Sequence, residues 1–171
     1  MPPKRSLGPW RERKLADGGV EMRDSTLTIR GAVTADIALC KQSLKLDTTA
    51  GALLQEAVQS KEAFVAVRDG GVVGVIVWHR HFFGCAFIAL VLVAESARRE
   101  GIAGALLRAV DDWVGTEKLF TSTNESNAPA QALFSHLGFR RSGHVENLDS
   151  DDLEILYFKW VRGPRGSRAD R

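Results

Sequence analysis

The residues of this chain whose types and spacing could do chemistry lie between Leu90 and Leu107, in the stretch LVLVAESARREGIAGALL. An apolar run stops at Val93, a polar connector follows, and Arg98-Arg99-Glu100-Gly101-Ile102-Ala103 opens a segment with helical periodicity. At a strand, turn and helix start of this kind, the first backbone N–H groups of the helix have no intrahelical acceptor and point together at the positive end of its dipole. An anion, above all a phosphate, fits there. Gly101 and Ala103 are small where a ligand must approach the backbone, and Arg98 and Arg99 add formal positive charge.

That turn needs a strand before it and a helix after it, and the pattern supplies both. Leu27-Thr28-Ile29-Arg30 alternates as a first strand. Thr34 reads as an N-cap, with Ile37, Ala38, Leu44 and Leu46 carrying a helix into the forties, and a second helical piece runs from about Ala50 to Ser60. Glu62 to Arg68 is a strand, Asp69-Gly70-Gly71 a hairpin turn, and Val72 to His81 the returning strand. Phe87 to Val93 is apolar on both faces and belongs in the middle of a sheet, covered on each side. From Gly101 onward, Ile102, Leu106, Leu107, Val110, Trp113 and Val114 fall along one helical stripe that Gly115 ends.

Lys118 to Thr123 is the next strand. The polar corner Asn124-Glu125-Ser126-Asn127 leads into a helix with Ala130, Leu133, Phe134 and Leu137 inside and Pro129 in its first turn, closed by Gly138-Phe139. His144 to Leu148 and Glu154 to Val161 form a last pair of strands around the acidic loop Asp149-Ser150-Asp151-Asp152. The order describes a mixed α/β sheet, antiparallel early, with a right-handed crossover helix over 101–114 between two parallel strands.

The totals bound what such a domain does. A chain of 171 residues with four Trp and eight Phe is most simply one domain with a proper core. Its net charge of +2 is unevenly placed: residues 1–25 hold six basic and four acidic groups and residues 162–171 four and one, which leaves −3 on Thr26 to Val161. A mildly acidic body between basic ends is a poor nucleic-acid surface, so no nucleic-acid partner is expected. The longest apolar run, Phe82 to Ala94, falls short of the roughly 20 residues of a membrane span, so no membrane partner is expected either. The start MPPKRSLGPWRERK has no apolar core of a secretory signal. Residues 1–25 and 162–171 read as disordered basic extensions around a domain at 26–161. Cys40 and Cys85 read as reduced packing residues of a cytoplasmic protein.

Arg98-x-x-Gly101-x-Ala103, preceded by Val91-Leu92-Val93 and followed by Leu106-Leu107, resembles the pyrophosphate motif of the GCN5-related N-acetyltransferases. A second block of that family is matched by Asn127, Ala130, Leu133, Phe134, Gly138 and Phe139, in register with the first. The resemblance covers about Leu27 to Val161, and the segment from Phe120 to Asp149 is also similar to bacterial members described only as acetyltransferases. It implies a single-domain fold with a central twisted, mostly antiparallel sheet, splayed between its fourth and fifth strands and flanked by helices.

It further implies acetyl-CoA as donor. The pantetheine arm would lie along Val91, Leu92 and Val93, the pyrophosphate on amides of Arg99, Glu100, Gly101, Ile102, Ala103 and Gly104, and Arg98, Asn127, Ala130 and Phe134 would help hold the cofactor. The thioester carbonyl would sit near Val93, where a backbone N–H supports a developing oxyanion. Transfer would be direct attack by a primary amine of a small molecule or peptide, in a monomer or homodimer.

An amine with a reference pKa near 10.4 must lose a proton, and the departing thiolate must gain one. Many members place a Tyr on the second helix as the acid; here that position is Phe134. Relatives that acetylate protein N-termini often place a Glu five residues before the motif Asn; here that position is Ser122. Glu125 and Tyr157, the only tyrosine, are the candidate replacements. His79 and His81 point the same way and are candidates for substrate contact; lacking a third ligand, they are not read as a metal pair. Asp151 and Glu154, in and beside the acidic loop, could attract a cationic amine. The rival from another class is a non-catalytic acyl-CoA-binding module, motivated by Phe134 and Ser122. A nucleotide-binding protein is disfavoured, because G-x-x-x-x-G-K-[ST] is absent and the glycine spacing of a dinucleotide turn is missing.

Overall fold

A computed structural model describes residues 26–161 in full, together with the backbone of Arg11–Lys14 and Val20–Arg23. Those two short segments, β1 and β2, pair with each other as an antiparallel ribbon, Arg11 opposite Arg23. The rest of the expected basic extension, and the tail 162–171, lie outside the described residues.

The main sheet has seven strands in the order β3-β4-β5-β6-β7-β9-β8, with β3 at Thr28–Gly31, β4 at Ala63–Arg68, β5 at Gly71–Phe82, β6 at Cys85–Val93, β7 at Lys118–Asn124, β8 at Arg140–Asp149 and β9 at Asp152–Trp160. Every neighbouring pair is antiparallel except β6 and β7, which run parallel. The crossover between them holds α3, Ile102–Trp113. Helices α1, Thr34–Leu44, and α2, Thr48–Ser60, pack over β4 and β5 on one face. Helices α3 and α4, Ala128–His136, cover the other.

Side-chain alternation along the strands divides the core accordingly. On the α3 face, Ile76, Trp78, Ala86, Ile88, Leu119, Ile155 and Tyr157 meet Ile102, Leu106, Leu107, Val110 and Phe134. On the α1 face, Val65, Val75 and Val77 meet Cys40, Leu54 and Ala57. Burial drives the Cys40 thiol up to about 11, so it is an inert packing group. Cys85 is also a free thiol.

Local chemistry sets the helix ends. The N-cap of α1 is Val33, one residue before the expected Thr34; a Val side chain cannot accept a hydrogen bond, and the carboxylate of Asp36 takes the Val33 amide at 2.8 Å instead. Asp36 is 2% exposed and is gripped by both terminal nitrogens of Arg30, at 2.6 and 2.8 Å. The Arg30 guanidinium holds the Asp36 carboxyl below its ordinary value, against the opposing effect of burial. Helix α4 ends in a Schellman turn, with Gly138 at φ +83° and the Phe139 amide bonded to Phe134 O at 2.9 Å. That is why Gly-Phe closes the helix.

The central strand is covered on both faces as expected, Val91 and Val93 packing on the α3-side core and Leu90 and Leu92 on the α1-side core, with one opening that matters below. β6 is the central strand, but Leu90 to Val93 remain part-exposed because no strand flanks them on the β7 side.

Candidate functional site

β6 pairs with β7 over only three residues, Ala86, Phe87 and Ile88 against Leu119, Phe120 and Thr121. Beyond that point β6 stays with β5 up to Val93 opposite Gly74, while β7 stays with β9 up to Asn124 opposite Glu154. A wedge opens between them. Its origin is a register shift between Val77 and Trp78, which face Leu90 and Ile88, so that Ala89 is the extra residue of a bulge that turns β6 aside. At the closed end the Thr121 hydroxyl donates to Ile88 O at 3.3 Å, an anchor that sequence reasoning missed and that no motif announces. Along the open side, backbone groups of alternate residues from Ala89 to Val93 face no strand, and an extended chain can add there as a strand would.

At the wide end of the wedge, the Ala94 amide bonds to Val73 O at 2.9 Å, a short 3₁₀ turn covers Glu95–Ala97, and the chain passes through left-handed backbone at Arg99, φ +63°, and Gly101, φ +80°. Successive amides in such a turn form a concave nest for an anion. The first backbone bond of α3 runs from the Ala105 amide to Gly101 O at 3.0 Å, so the amides of Ile102, Ala103 and Gly104 are its free first-turn donors. A Cβ built on Gly101 meets nothing within 4 Å, so backbone conformation demands the glycine and the space beside it is open.

The charges around the nest are arranged to suit an anion. Arg68 at the end of β4 takes the Glu100 carboxylate at 2.6 Å, and Lys45 lies 3.6 Å from Glu95, so both negative side chains of the turn have a cationic neighbour. Arg98 lies exposed with its Nε 3.5 Å from Val93 O, and Arg99 is exposed beside it. The helix is seated by Gly74, where an added Cβ would meet Ile102 Cγ2 at 3.1 Å, Leu106 Cδ1 at 3.2 Å and Leu92 O at 3.3 Å.

Around the closed end, the expected proton-handling residues separate. Tyr157 is 5% exposed on the α3 face, and its hydroxyl donates to Gln131 Oε1 at 3.2 Å. Gln131 in turn donates to Glu125 O at 2.5 Å, so it ties α4, the corner after β7 and β9 together; nothing in the sequence singled it out. Phe134 stacks at 5.6 Å on both Tyr157 and Phe139 and is 2% exposed, so it supports the closed end from below rather than lining an open channel. The Glu125 carboxylate is more than half exposed and lies 3.8 Å from Arg141, a strand β8 residue opposite Tyr157. Asn127 caps α4 by accepting the Ala130 amide at 3.3 Å.

The acidic loop is used structurally at two of its four positions. Asp149 accepts from Asn124 Nδ2 at 2.7 Å, and Asp152 accepts from the Ser126 amide and hydroxyl at 3.1 and 2.5 Å. Asp151 sits exposed at the turn with φ +64°. Glu154 is different: it lies directly opposite Asn124 on the face away from α3 and α4, part-exposed, one strand from the wedge, with Ser122 two residues below Asn124 on the same face.

His79 and His81 do share a face, their rings stacked at 5.8 Å, but β5 carries them to the closed end of the sheet. His79 is opposite Phe87, six residues and roughly 20 Å from Val93 at the strand rise. Burial, and then the charge of His81, push His79 below its ordinary value. Among the described residues no group of three or more His, Cys, Asp and Glu is placed to hold a metal ion, and no helix is long and apolar enough to cross a membrane.

A splayed mixed sheet whose central strand runs into an amide nest is the architecture of the acyl-CoA transferase class. The model of the acetyltransferase (GNAT) family matches residues 34–139, and the chain belongs to that family, whose acyl donor is acetyl-CoA. Over 76 residues it is 38% identical to GCN5-related N-acetyltransferase 6, chloroplastic, of Arabidopsis thaliana; the match takes in 42% of this chain and only 26% of that protein. A solved GNAT acetyltransferase from Bacillus cereus superposes with a TM-score of 0.74 at 29% identity, over 80% of this chain and 98% of that one. Ard1 from Thermoplasma volcanium gives 0.69 at 25% identity, over 80% and 98%.

Proposed function

We propose that this chain transfers an acetyl group from acetyl-CoA directly to a primary amine of a small molecule or peptide. The observation that carries the reading is the continuity of the wedge with the nest: strand backbone at Leu90 to Val93, open on the side away from β5, leads through the short turn at 94–98 into the amides of Arg99 to Gly104. When bound, acetyl-CoA supplies a reactive acetyl thioester. The amides of the nest bind its diphosphate, with Arg98 and Arg99 adding charge. The backbone of Leu90 to Val93 orients its arm, which runs down the wedge from the turn. That direction carries the reacting end from Val93, where the family resemblance implied it, toward Leu90 and the closed end at Ile88.

Helices α3 and α4 close one face of the wedge, so the amine enters from the other. There Glu154 takes the amine proton, directly or through water, in preference to Glu125, which is more than half exposed with Arg141 3.8 Å away. Tyr157 is the proton donor on the α3 face, positioned by Gln131. No cysteine serves as a nucleophile: Cys40 is an inert thiol in the core, and Cys85 begins β6 at the hairpin, beyond the stretch Ala86 to Ile88 where β7 closes the wedge.

Calorimetry with acetyl-CoA on the wild type and on Gly101→Glu tests the donor site: binding by the first and not by the second is expected, and equal binding, or none by the wild type, refutes it. Release of free thiol against a panel of amines tests the chemistry. The absence of any tyrosine at position 134 favours one second reading, an acyl-CoA-binding module without turnover. Acetylation of any amine well above the rate without enzyme removes it.

A further inference from the structure

A row of ring side chains crosses the sheet on the face from which the amine enters. His79 lies opposite Phe87, Phe87 opposite Phe120, and Phe120 opposite Phe158, one residue from each of four adjacent strands. The rings touch in sequence, His79 to Phe87 at 5.5 Å and Phe120 to Phe158 at 5.8 Å, and Phe82 bridges Phe87 and Phe120 at 4.9 and 5.1 Å. All five are part-exposed, and none belongs to either core cluster. Since α1 and α2 pack over β4 and β5, this aromatic floor stands apart from both cores of the protein.

Its position relative to the wedge gives it a use. On the same face, the next residues up are Ser122 opposite Leu156, and the next again are Asn124 opposite Glu154. Reading upward, the surface is aromatic, then narrow and neutral at the closed end of the wedge, then acidic. At the other end of the floor Lys118 Nζ lies 4.7 Å over the Trp160 ring, so positive charge sits where a cationic amine is least welcome. Two residues along a strand span about 7 Å, the reach of a ring with its amine two or three bonds away, so a ring on the floor sets its ammonium at the level of Ser122, and Glu154, two residues further up, attracts it from about 7 Å beyond.

We propose, resting on the reading of this site as an N-acetyltransferase, that the acceptor is a small primary amine carried on a flat aromatic group. The ring lies on Phe87, Phe120 and Phe158, and Glu154 draws the ammonium to the wedge. His79, which the sequence offered as a substrate contact, borders the floor and stays neutral near pH 7, so it adds a planar surface without repelling the amine.

The test compares 2-phenylethylamine with n-butylamine and with a peptide bearing a free N-terminus, by thiol release at saturating acetyl-CoA, alongside calorimetric titration of 2-phenylethylamine into the enzyme loaded with coenzyme A. The expected result is a kcat/KM for the aryl amine about 10- to 100-fold above that for the alkyl amine. Phe120→Ala, with Phe120→Leu as the variant that keeps an apolar filler, raises KM for the aryl amine about tenfold and leaves KM for n-butylamine and for acetyl-CoA unchanged. Equal kcat/KM for the two amines, a preference for the peptide, or equal losses on both amines in both variants overturns the proposal. So does a dimer in light scattering that Phe120→Ala dissociates, because a second copy then covers the floor. If no amine is turned over, the transferase reading fails by itself, and calorimetric binding of 2-phenylethylamine still decides the floor: saturable binding lost in Phe120→Ala supports it, and none refutes it.

Discussion

Gly101→Ala separates the two things a glycine in the nest does. Its φ of +80° lies in left-handed backbone, where a Cβ costs about 1–2 kcal/mol, and an added Cβ meets no atom within 4 Å, so no steric cost adds to it. For a domain of this size each kcal/mol lowers Tm by about 2–4 °C, giving a drop of roughly 2–8 °C. Gly138 is a matched control: its φ is +83° and its Cβ space is equally empty, but it closes α4 away from the nest. Gly138→Ala is therefore expected to lose the same stability. Affinity separates the pair. In Gly101→Ala the methyl fills the space a phosphate oxygen needs to reach the amides, and losing one charge-assisted hydrogen bond, about 1.5–3 kcal/mol, weakens acetyl-CoA about 10- to 100-fold. In Gly138→Ala the affinity stays at the wild-type value. Thermal melts and calorimetric titration of both variants measure this directly, and equal affinities in the two variants would refute the assignment of Gly101 to the anion site.

Three further outcomes follow from particular contacts. Tyr157→Phe removes the hydroxyl bonded to Gln131 and is expected to cost about 1 kcal/mol in denaturant melts; as the proton donor its loss lowers kcat about 100-fold with KM for acetyl-CoA unchanged, and an unaltered kcat takes Tyr157 out of the chemistry. The Asp36 carboxyl is held low in the fold by Arg30, so its contribution is whole above the ordinary carboxylate range near pH 4 and is lost as pH falls through the lowered folded value. Asp36→Asn is thus less stable at pH 7, by about 1 kcal/mol because Arg30 is partly solvated, and its stability falls less steeply than the wild type's below pH 4; parallel acid limbs would contradict this. Gly74→Ala forces a methyl against Ile102, Leu106 and Leu92 O, all within 3.3 Å, and is expected to cost about 1–3 kcal/mol in thermal melts, because a backbone oxygen in a paired strand cannot step aside. A stability change near zero would mean that α3 is not seated on β5 by this contact.

The sequence alone pointed to an anion-binding turn at 98–104 and to most of the element order, because both rest on local chemistry. A glycine forced to positive φ, a helix start that leaves amides free and an apolar run too short for anything but a buried strand are all decided within a few residues. Helix α4, from Asn127 as cap to Gly138-Phe139 as its close, was legible for the same reason. What the chain order could not decide was which residues meet across strands. The wedge depends on a bulge at Ala89 and on three residues of parallel pairing, Glu154 reaches the open face only through the register of β9 on β7, and Glu125 lies 3.8 Å from Arg141 of another strand. The aromatic floor is the clearest case. His79, Phe87, Phe120 and Phe158 are scattered over 80 residues and carry no motif, and only the pairing of four strands sets them side by side. Local chemistry thus marked an anion-binding turn, the family resemblance made its ligand acetyl-CoA, and long-range register, which no window of sequence contains, decides which side chains surround it.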